Sequence, residues 1–467
     1  MKQLAALAFA VLSNLVPAKT GAEFVAFNAP MLALTHVEVV DGTGGEPMHD
    51  MTVLIRNGRI EALDASAKVS IPKGAEVKDL KGKSITPGFV MLHEHMFYPI
   101  AYYAYGAMFQ SFPHLYLAGG ATTIRTAGSM SPYADLNVRK DIDAGENVGP
   151  DIDVTAPFLN GPVPFVMQVQ RITSAKQASE MVHYWADEGA TSYKAYMHLT
   201  RDELAAVVAE AHAHQQKVTG HLCSITFREA VDLGIDNLEH GFFPASDFVK
   251  DKQPDLCPSG TAVNASLDAL PAGSPDMRSL EAYLIQHHVA LTSTLTIFET
   301  FASGRPAAPS GALDLLAPPL REMYLRRWSS IASDKDNVYS HLLVKDMAWE
   351  KQFFDQGGLL VAGTDPTGYG GVVPGFSNVR EVELLMEAGL TLPEAIKVST
   401  LNGATYLDRD KDVGSLVPGK RADLVIFDGM VSEDHAALRR ILWTVKAGVG
   451  YDSAKIRAAY VGKVGYQ

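Results

Sequence analysis

The segment GFVMLHEHM places His93 and His95 two residues apart. In an extended strand such a pair projects to one side, so two imidazoles would leave a strand end together. HxH alone is common by chance. VTGHL adds His221, NLEHG adds His240 and LLVAGTDP adds Asp365, each where an apolar run gives way to a loop. One histidine in that position reads as a hydrogen-bonded core residue. Four histidines and an aspartate, all at strand ends, read as a metal centre. The donors are nitrogen and oxygen without sulfur, which suits zinc and, less exclusively, manganese, cobalt or iron.

TSYKAYMHL raises a different question, because Lys194 interrupts a strand that should be covered on both faces. An ammonium beside divalent cations is repelled and cannot ligate. A neutral lysine can react with CO2 to form a carbamate, an anion whose two oxygens could bridge two metals. The alternative is an ion-paired or surface lysine.

These residues require elements to position them. Apolar strand candidates fall at 88–93, 121–126, 151–157, 191–197, 217–222, 235–240, 289–295 and 359–364. Helical patterns separate most of them, at 174–188, 200–214, 224–233 and 377–388. Thr200 with Glu203 forms a capping box for the second of these helices. The alternation predicts an α/β fold, a TIM-like (β/α)8 barrel over 87–412, with a doubly wound sheet as the alternative. In a barrel the strand C-termini form the catalytic face, where every candidate above stands. Segments 241–276 and 296–340, with CPSG, LPAGSP and SGRPAAPSG, are expected to be loop-rich and functional. The chain ends, 30–86 and 413–467, have the texture of short strands, with Asn57-Gly58 as a hairpin turn. Together they predict a small β-sandwich domain.

Composition narrows the function. Hydrophobic residues make up 47% and charged residues 20%, an ordinary globular balance. Forty basic against 53 acidic side chains give −13, which argues against a nucleic-acid partner. Cys223 and Cys257 are expected as isolated thiols, although pairing in an oxidising compartment stays open. Residues 1–22 read as a signal peptide cleaved near Ala22, so the protein is expected to be secreted or periplasmic, and otherwise cytoplasmic. A buried N-terminal helix is the alternative. Beyond it no segment approaches the ~20 apolar residues of a membrane span, so no stable membrane insertion is expected.

As a set, the motifs resemble the amidohydrolase superfamily, in its imidazolonepropionase-related and prolidase-like branch. They run from VVDGTGG and VLIRNGRI through SITPGFVMLHEHM, GATTIRTAG, SYKAYMH, KVTGHL, NLEHG and VAGTDP to EAGLTLPEAIKVSTLNGATYL and GSLVPGKRADLVIFD. The resemblance implies two divalent metal ions per chain, zinc foremost. His93, His95 and Asp365 would hold the first, His221 and His240 the second, and carbamylated Lys194 would bridge both. It further implies a shared hydroxide as nucleophile, with Asp365 taking its proton and delivering it to the leaving amine; His240 belongs to the same catalytic group. Members of this branch cleave amide bonds of dipeptides and N-acyl amino acids, and ochratoxin-hydrolysing enzymes are similar. The implied partner is such a small molecule, and a homo-oligomer is expected. Arg125, Tyr196 and His198 are candidate substrate binders, Arg125 through a bidentate grip on a carboxylate. GFFPASDF after His240 departs from the branch's usual small and acidic residues and predicts a more apolar pocket. A mononuclear cyclic-amide hydrolase or deaminase of the same superfamily would have no use for Lys194 as a ligand. A non-catalytic scaffold would be expected to have lost ligands, and none is missing. His212 and His214, on the helix after Lys194, are expected at the surface.

Overall fold

Eight short parallel strands carry the candidate residues. They are β1 (Phe89–Glu94), β2 (Ala121–Thr126), β3 (Asp151–Val154), β4 (Ser192–Ala195), β5 (Lys217–Gly220), β6 (Asn237–Glu239), β7 (Ala290–Ser293) and β8 (Leu360–Ala362). This computed structural model describes residues 20–101, 104–162, 169–271 and 273–465. The signal-peptide expectation therefore lies almost wholly outside the described residues. Each strand coincides with an apolar run expected from sequence, β1 running one residue past its expected end. Nearly every strand residue is buried, as parallel strands covered on both faces require.

Strands β1, β2 and β3 pair side by side, and β4 through β8 pair in sequence order. Backbone hydrogen bonds join the two groups at both edges. Thr191 N donates to Val154 O and Ala156 N to Ser192 O, each at 2.9 Å, while Thr364 N donates to His93 O at 3.0 Å. Strand β8 thereby ends beside β1, which brings Asp365 to the two histidines of HEH.

The helices between strands follow their sequence signals. Ala175–Glu188 starts at Ser174, whose side chain accepts from Gln177 N, and ends at Gly189 with φ 100°. Arg201–Ala213 has the expected reciprocal capping box between Thr200 and Glu203. Among the described residues no helix is long and apolar enough to cross a membrane.

Two expectations need correction. Segment 296–340 is largely helical, with Leu295–Phe301, Ser310–Leu315 and Pro318–Ala332, and 241–276 contains Gly260–Asp268. Pro275, which read as loop punctuation in LPAGSP, occupies a first-turn position of a helix, as Pro318 does, where a missing N–H costs nothing. The two cysteines are also not isolated thiols: Cys223 and Cys257 form a disulfide. The 241–276 segment folds back against the loop after β5, a proximity that a separation of 34 residues conceals.

The chain ends meet in one nine-stranded sheet. Its order is Val25–Phe27, Val449–Asp452, Ile441–Lys446, Leu424–Phe427, Ser84–Pro87, Met31–Val39, Met48–Arg56 and Arg59–Ala65, with Glu76–Asp79 also pairing Met31–Val39. Leu32, Val53, Ile55, Ile85, Leu424 and Ile426 are buried in its core. The Asn57-Gly58 turn forms as expected: φ is positive at both, 48° and 77°, matching the twist of the flanking strands.

Candidate metal centre

The strand ends converge. His93 and His95 emerge from the end of β1, both 2% exposed, while Glu94 between them turns away to accept from Thr364 Oγ1 at 2.6 Å. Nε2 of His93 lies 3.8 Å from Asp365 Oδ1, and Nε2 of His95 lies 3.3 Å from the same oxygen. One donor atom from each of these three residues lies within 4.8 Å of the others.

The outer nitrogens fix which atoms face inward. His93 Nδ1 donates to Glu239 Oε2 at 2.7 Å, and His95 Nδ1 donates to Gly128 O at 3.2 Å. A carboxylate or carbonyl can only accept, so each ring carries its proton on Nδ1 and keeps the Nε2 lone pair free. His240 Nδ1 pairs with Thr294 Oγ1 at 2.8 Å. The His240 ring centroid stands 4.5 Å from those of both His93 and His221.

Backbone geometry at two of these residues is special. His240 has φ 70° and Asp365 φ 53°, left-handed conformations that non-glycine residues seldom adopt. Such strain persists where surrounding structure enforces it, and it tends to cluster at functional sites.

Electrostatics suit metal ligation. Burial pushes His93 down to about 4 and His221 to about 3, with Lys194 adding to both, and burial also lowers His240. These rings are therefore neutral at physiological pH, the form that binds a cation. Burial opposes ionisation of Asp365, but the surrounding histidines hold its carboxyl well below the usual range. Its Oδ1 accepts no hydrogen bond among the described residues. Lys194, 1% exposed, is pushed down to about 8 by burial, against the pull of Glu239. Its Nζ makes no hydrogen bond among the described residues and has Glu239 Oε1 at 3.5 Å. Inward lone pairs, an unsatisfied carboxylate oxygen and a buried amine near neutrality together fit a cation-binding centre.

Sequence reasoning missed Glu239. Fully buried, it receives His93 Nδ1, Arg125 Nη2 at 2.7 Å and the Thr219 hydroxyl, and faces Lys194. The signal was present, since an acidic residue within a buried strand is as anomalous as Lys194. Arg125 is correspondingly corrected as a substrate binder. It is fully buried and donates to Leu92 O, Asn237 Oδ1 and Glu239 Oε1, which turns its guanidinium into the strand layer.

Tyr196 and the metal-ligand candidates line a cavity of about 380 Å³, whereas His198 does not. The His198 backbone N–H donates to Asn160 Oδ1, and its side chain is half-buried in the loop after β4. The cavity wall is apolar, with Phe97, Phe158, Phe243, Phe298 and Phe301 among its residues. Phe243, from the GFFPASDF segment, stacks on Phe298 with ring centroids 3.5 Å apart. Pro258, Gly260 and Val263, just past the disulfide, close one side.

Residues 334–453 match the amidohydrolase family. The chain is 23% identical over 410 residues to an imidazolonepropionase from Geobacillus sp. (strain WCH70), covering 81% of this chain and 83% of that protein. It is 32% identical over 93 residues to an imidazolonepropionase from Alkaliphilus metalliredigens (strain QYMF), covering 19% of this chain and 21% of the relative. The chain thus spans about a fifth of that relative's length. Among solved structures, a candidate prolidase from Bifidobacterium longum superposes with a TM-score of 0.64 at 25% identity, covering 92% of this chain and 97% of that one.

Proposed function

We propose that this chain, which fits the amidohydrolase superfamily, is a metal-dependent hydrolase of carbon–nitrogen amide bonds. In this reading residues 87–412 form a (β/α)8 barrel, and 30–86 with 413–467 form a small β-sandwich domain. The observation that carries the reading is the set of inward donors of His93, His95 and Asp365, opening directly onto an apolar cavity.

His93, His95 and Asp365 would hold one divalent cation, His221 and His240 a second, and Lys194, carbamylated by CO2, would lie between; zinc fits the donors best. Bound there, the cations would supply Lewis-acid polarisation of the scissile carbonyl and a water acidic enough to react near neutral pH. The chain's own residues do the rest. Asp365, ionised and short of partners, accepts the proton from the attacking water and returns it to the leaving nitrogen. His240 is fixed by Thr294, so its inward nitrogen is positioned before substrate arrives. Tyr196, flanked by Phe158 and His221, faces the substrate side of the cavity.

The substrate is an amide whose acyl or amine part is aromatic or aliphatic, such as an N-acyl aromatic amino acid, an apolar dipeptide or an ochratoxin-type aryl amide. Phenylalanine side chains supply apolar contact area, and no arginine lines the cavity among the described residues. The disulfide supports an oxidising, secreted or periplasmic location.

The test is a panel of aryl amides, N-acyl amino acids and dipeptides, run after reconstitution with Zn²⁺ and bicarbonate. Wild type should prefer aromatic N-acyl substrates over Xaa-Pro and Xaa-Arg dipeptides, and Lys194→Ala should lose activity and metal. Full activity in that variant would remove the carbamate from the scheme. One observation favours a second reading: the strand-end donor atoms that lie within 4.8 Å of one another come from three residues, enough for a single cation and a cyclic-amide hydrolase. About one metal per chain at the strand-end centre would select it, about two the binuclear scheme.

A further inference from the structure

Far from the strand-end centre, three donor atoms on two neighbouring helices form a near-equilateral triangle. His183 Nδ1, from Ala175–Glu188, lies 3.2 Å from Glu210 Oε1, on Arg201–Ala213. His214 Nε2, on the residue that caps the second helix, lies 3.3 Å from Glu210 Oε1 and 3.3 Å from His183 Nδ1.

Each ring can donate to Glu210 Oε1, but the two ring nitrogens, 3.3 Å apart, then face each other as donors with no acceptor between them. An imidazole N–H points along one direction, while the other two corners lie roughly 60° apart as seen from each nitrogen, so one proton serves one neighbour well. With each ring proton on its other nitrogen, two ring nitrogens and a carboxylate oxygen offer three donor atoms around one point. Tetrahedral zinc, with bonds to nitrogen and carboxylate oxygen of about 2.0–2.2 Å, sets its donors roughly 3.3–3.5 Å apart. The observed edges of 3.2, 3.3 and 3.3 Å approach that spacing.

Outer contacts orient two of the three ligands. Ser179 Oγ donates to Glu210 Oε2 at 2.8 Å, leaving Oε1 for the centre of the triangle. Asp187 Oδ2 stands 3.7 Å from His183 Nε2, behind the ring, placing a carboxylate on its non-ligating nitrogen. His183 is exposed, so the fourth position opens to solvent.

We propose that His183, Glu210 and His214 form a peripheral site for a borderline divalent cation, Zn²⁺ foremost, which ties the two helices together. Nickel and copper would also suit two imidazoles and a carboxylate. The helix ends that carry His183 and His214 lead into β4 and β5 at the N-terminal ends of those strands, opposite the end occupied by His93 and Asp365. The site is a clamp outside the catalytic machinery, and it is independent of the reading of the strand-end centre.

The experiment uses the full chain with its strand-end centre already loaded. Wild type, His183→Ala and the double variant His183→Ala/His214→Ala are dialysed against micromolar Zn²⁺, and bound zinc is counted. Wild type is expected to hold one more zinc per chain than either variant, and to show a zinc-dependent rise in Tm of a few degrees that both lose. Amide hydrolysis should be unchanged. Equal zinc counts and equal Tm responses in all three proteins would overturn the proposal. Zinc-edge anomalous scattering from wild-type crystals gives an answer without any variant. A peak coordinated by His183 Nδ1, Glu210 Oε1 and His214 Nε2 supports the site, and its absence at saturating zinc overturns it.

Discussion

Glu239 accepts the Nδ1 proton of His93 at 2.7 Å with one oxygen and binds Arg125 at 2.7 Å with the other. One buried carboxylate thus sets the tautomer of His93, neutralises a fully buried guanidinium and faces the Lys194 amine. Glu239→Gln keeps the shape and removes the charge. It should weaken zinc retention at the strand-end centre by roughly 10–100-fold, the usual cost of losing such an outer partner. Chelator competition checks this, and unchanged retention would show that Glu239 serves only Arg125.

Arg125→Ala separates the two roles considered for that residue. Leaving Glu239 without its buried partner should cost about 3–5 kcal/mol of stability. Denaturant unfolding would read that loss. A substrate-carboxylate role would instead raise KM selectively for substrates with a free carboxylate, while the stability changed little.

The Lys194 amine gives a pH dependence with a definite sign. Burial lowers it to about 8, and carbamate formation needs the neutral form. Metal-free protein supplied with Zn²⁺ at fixed dissolved CO2 should therefore regain activity faster as pH rises through about 8. A rate that fell over pH 7–9 would count against the carbamate.

Asp346 and Glu350 approach each other behind β7, and a Cβ on Gly241 would sit 2.4 Å from an oxygen of each. Burial pushes Asp346 up to about 8 and also holds Glu350 well above the usual carboxylate range. A carboxyl raised in this way stabilises the folded state fully below its unfolded value near 3.8, and that contribution is lost as pH climbs to about 8. Asparagine can still accept from Phe242 N, which donates to Asp346 Oδ1 at 2.8 Å. Asp346→Asn should accordingly raise Tm by roughly a few degrees at pH 8 and by less at pH 5.

The Cys223–Cys257 bridge holds the 241–276 segment beside the cavity wall formed by Pro258, Gly260 and Val263. Cys257→Ser should lower stability by about 3–4 kcal/mol on loop-entropy grounds. It should also raise KM for aromatic amides more than it changes kcat. An unaltered KM would place the segment outside substrate recognition.

Strand-end chemistry was legible because it is local. His93, His95, His221, His240 and Asp365 each follow an apolar run, and the parallel order of those runs brings their ends together. The helix at 201–213 was legible through its capping box, and the one at 175–188 through its helical pattern. Arg125 was not, because strand alternation gives the face of a side chain but not the depth at which its guanidinium finds a partner. Glu239 escaped for a related reason. Its three partners come from β1, β2 and β5, so its role exists only after those strands assemble. The disulfide and the His183–Glu210–His214 triangle depend likewise on how loops and helices meet, which periodicity does not encode.

The nine-stranded sheet also sets an order of events. Among the described residues Val25–Phe27 pairs only with Val449–Asp452, and Ser84–Pro87, already beside Met31–Val39, waits for Leu424–Phe427 on its other edge. During synthesis the first strands must therefore remain unpaired on one edge until more than three hundred further residues have been added. Contacts of such sequence separation form slowly and leave strand edges open to other chains. The parallel-strand domain can assemble earlier, so the last folding step closes the two ends of the polypeptide over an already built parallel-strand layer. Refolding yield should then depend on concentration more steeply than recovery of the strand-end centre does, and a holdase chaperone would act on the early N-terminal strands.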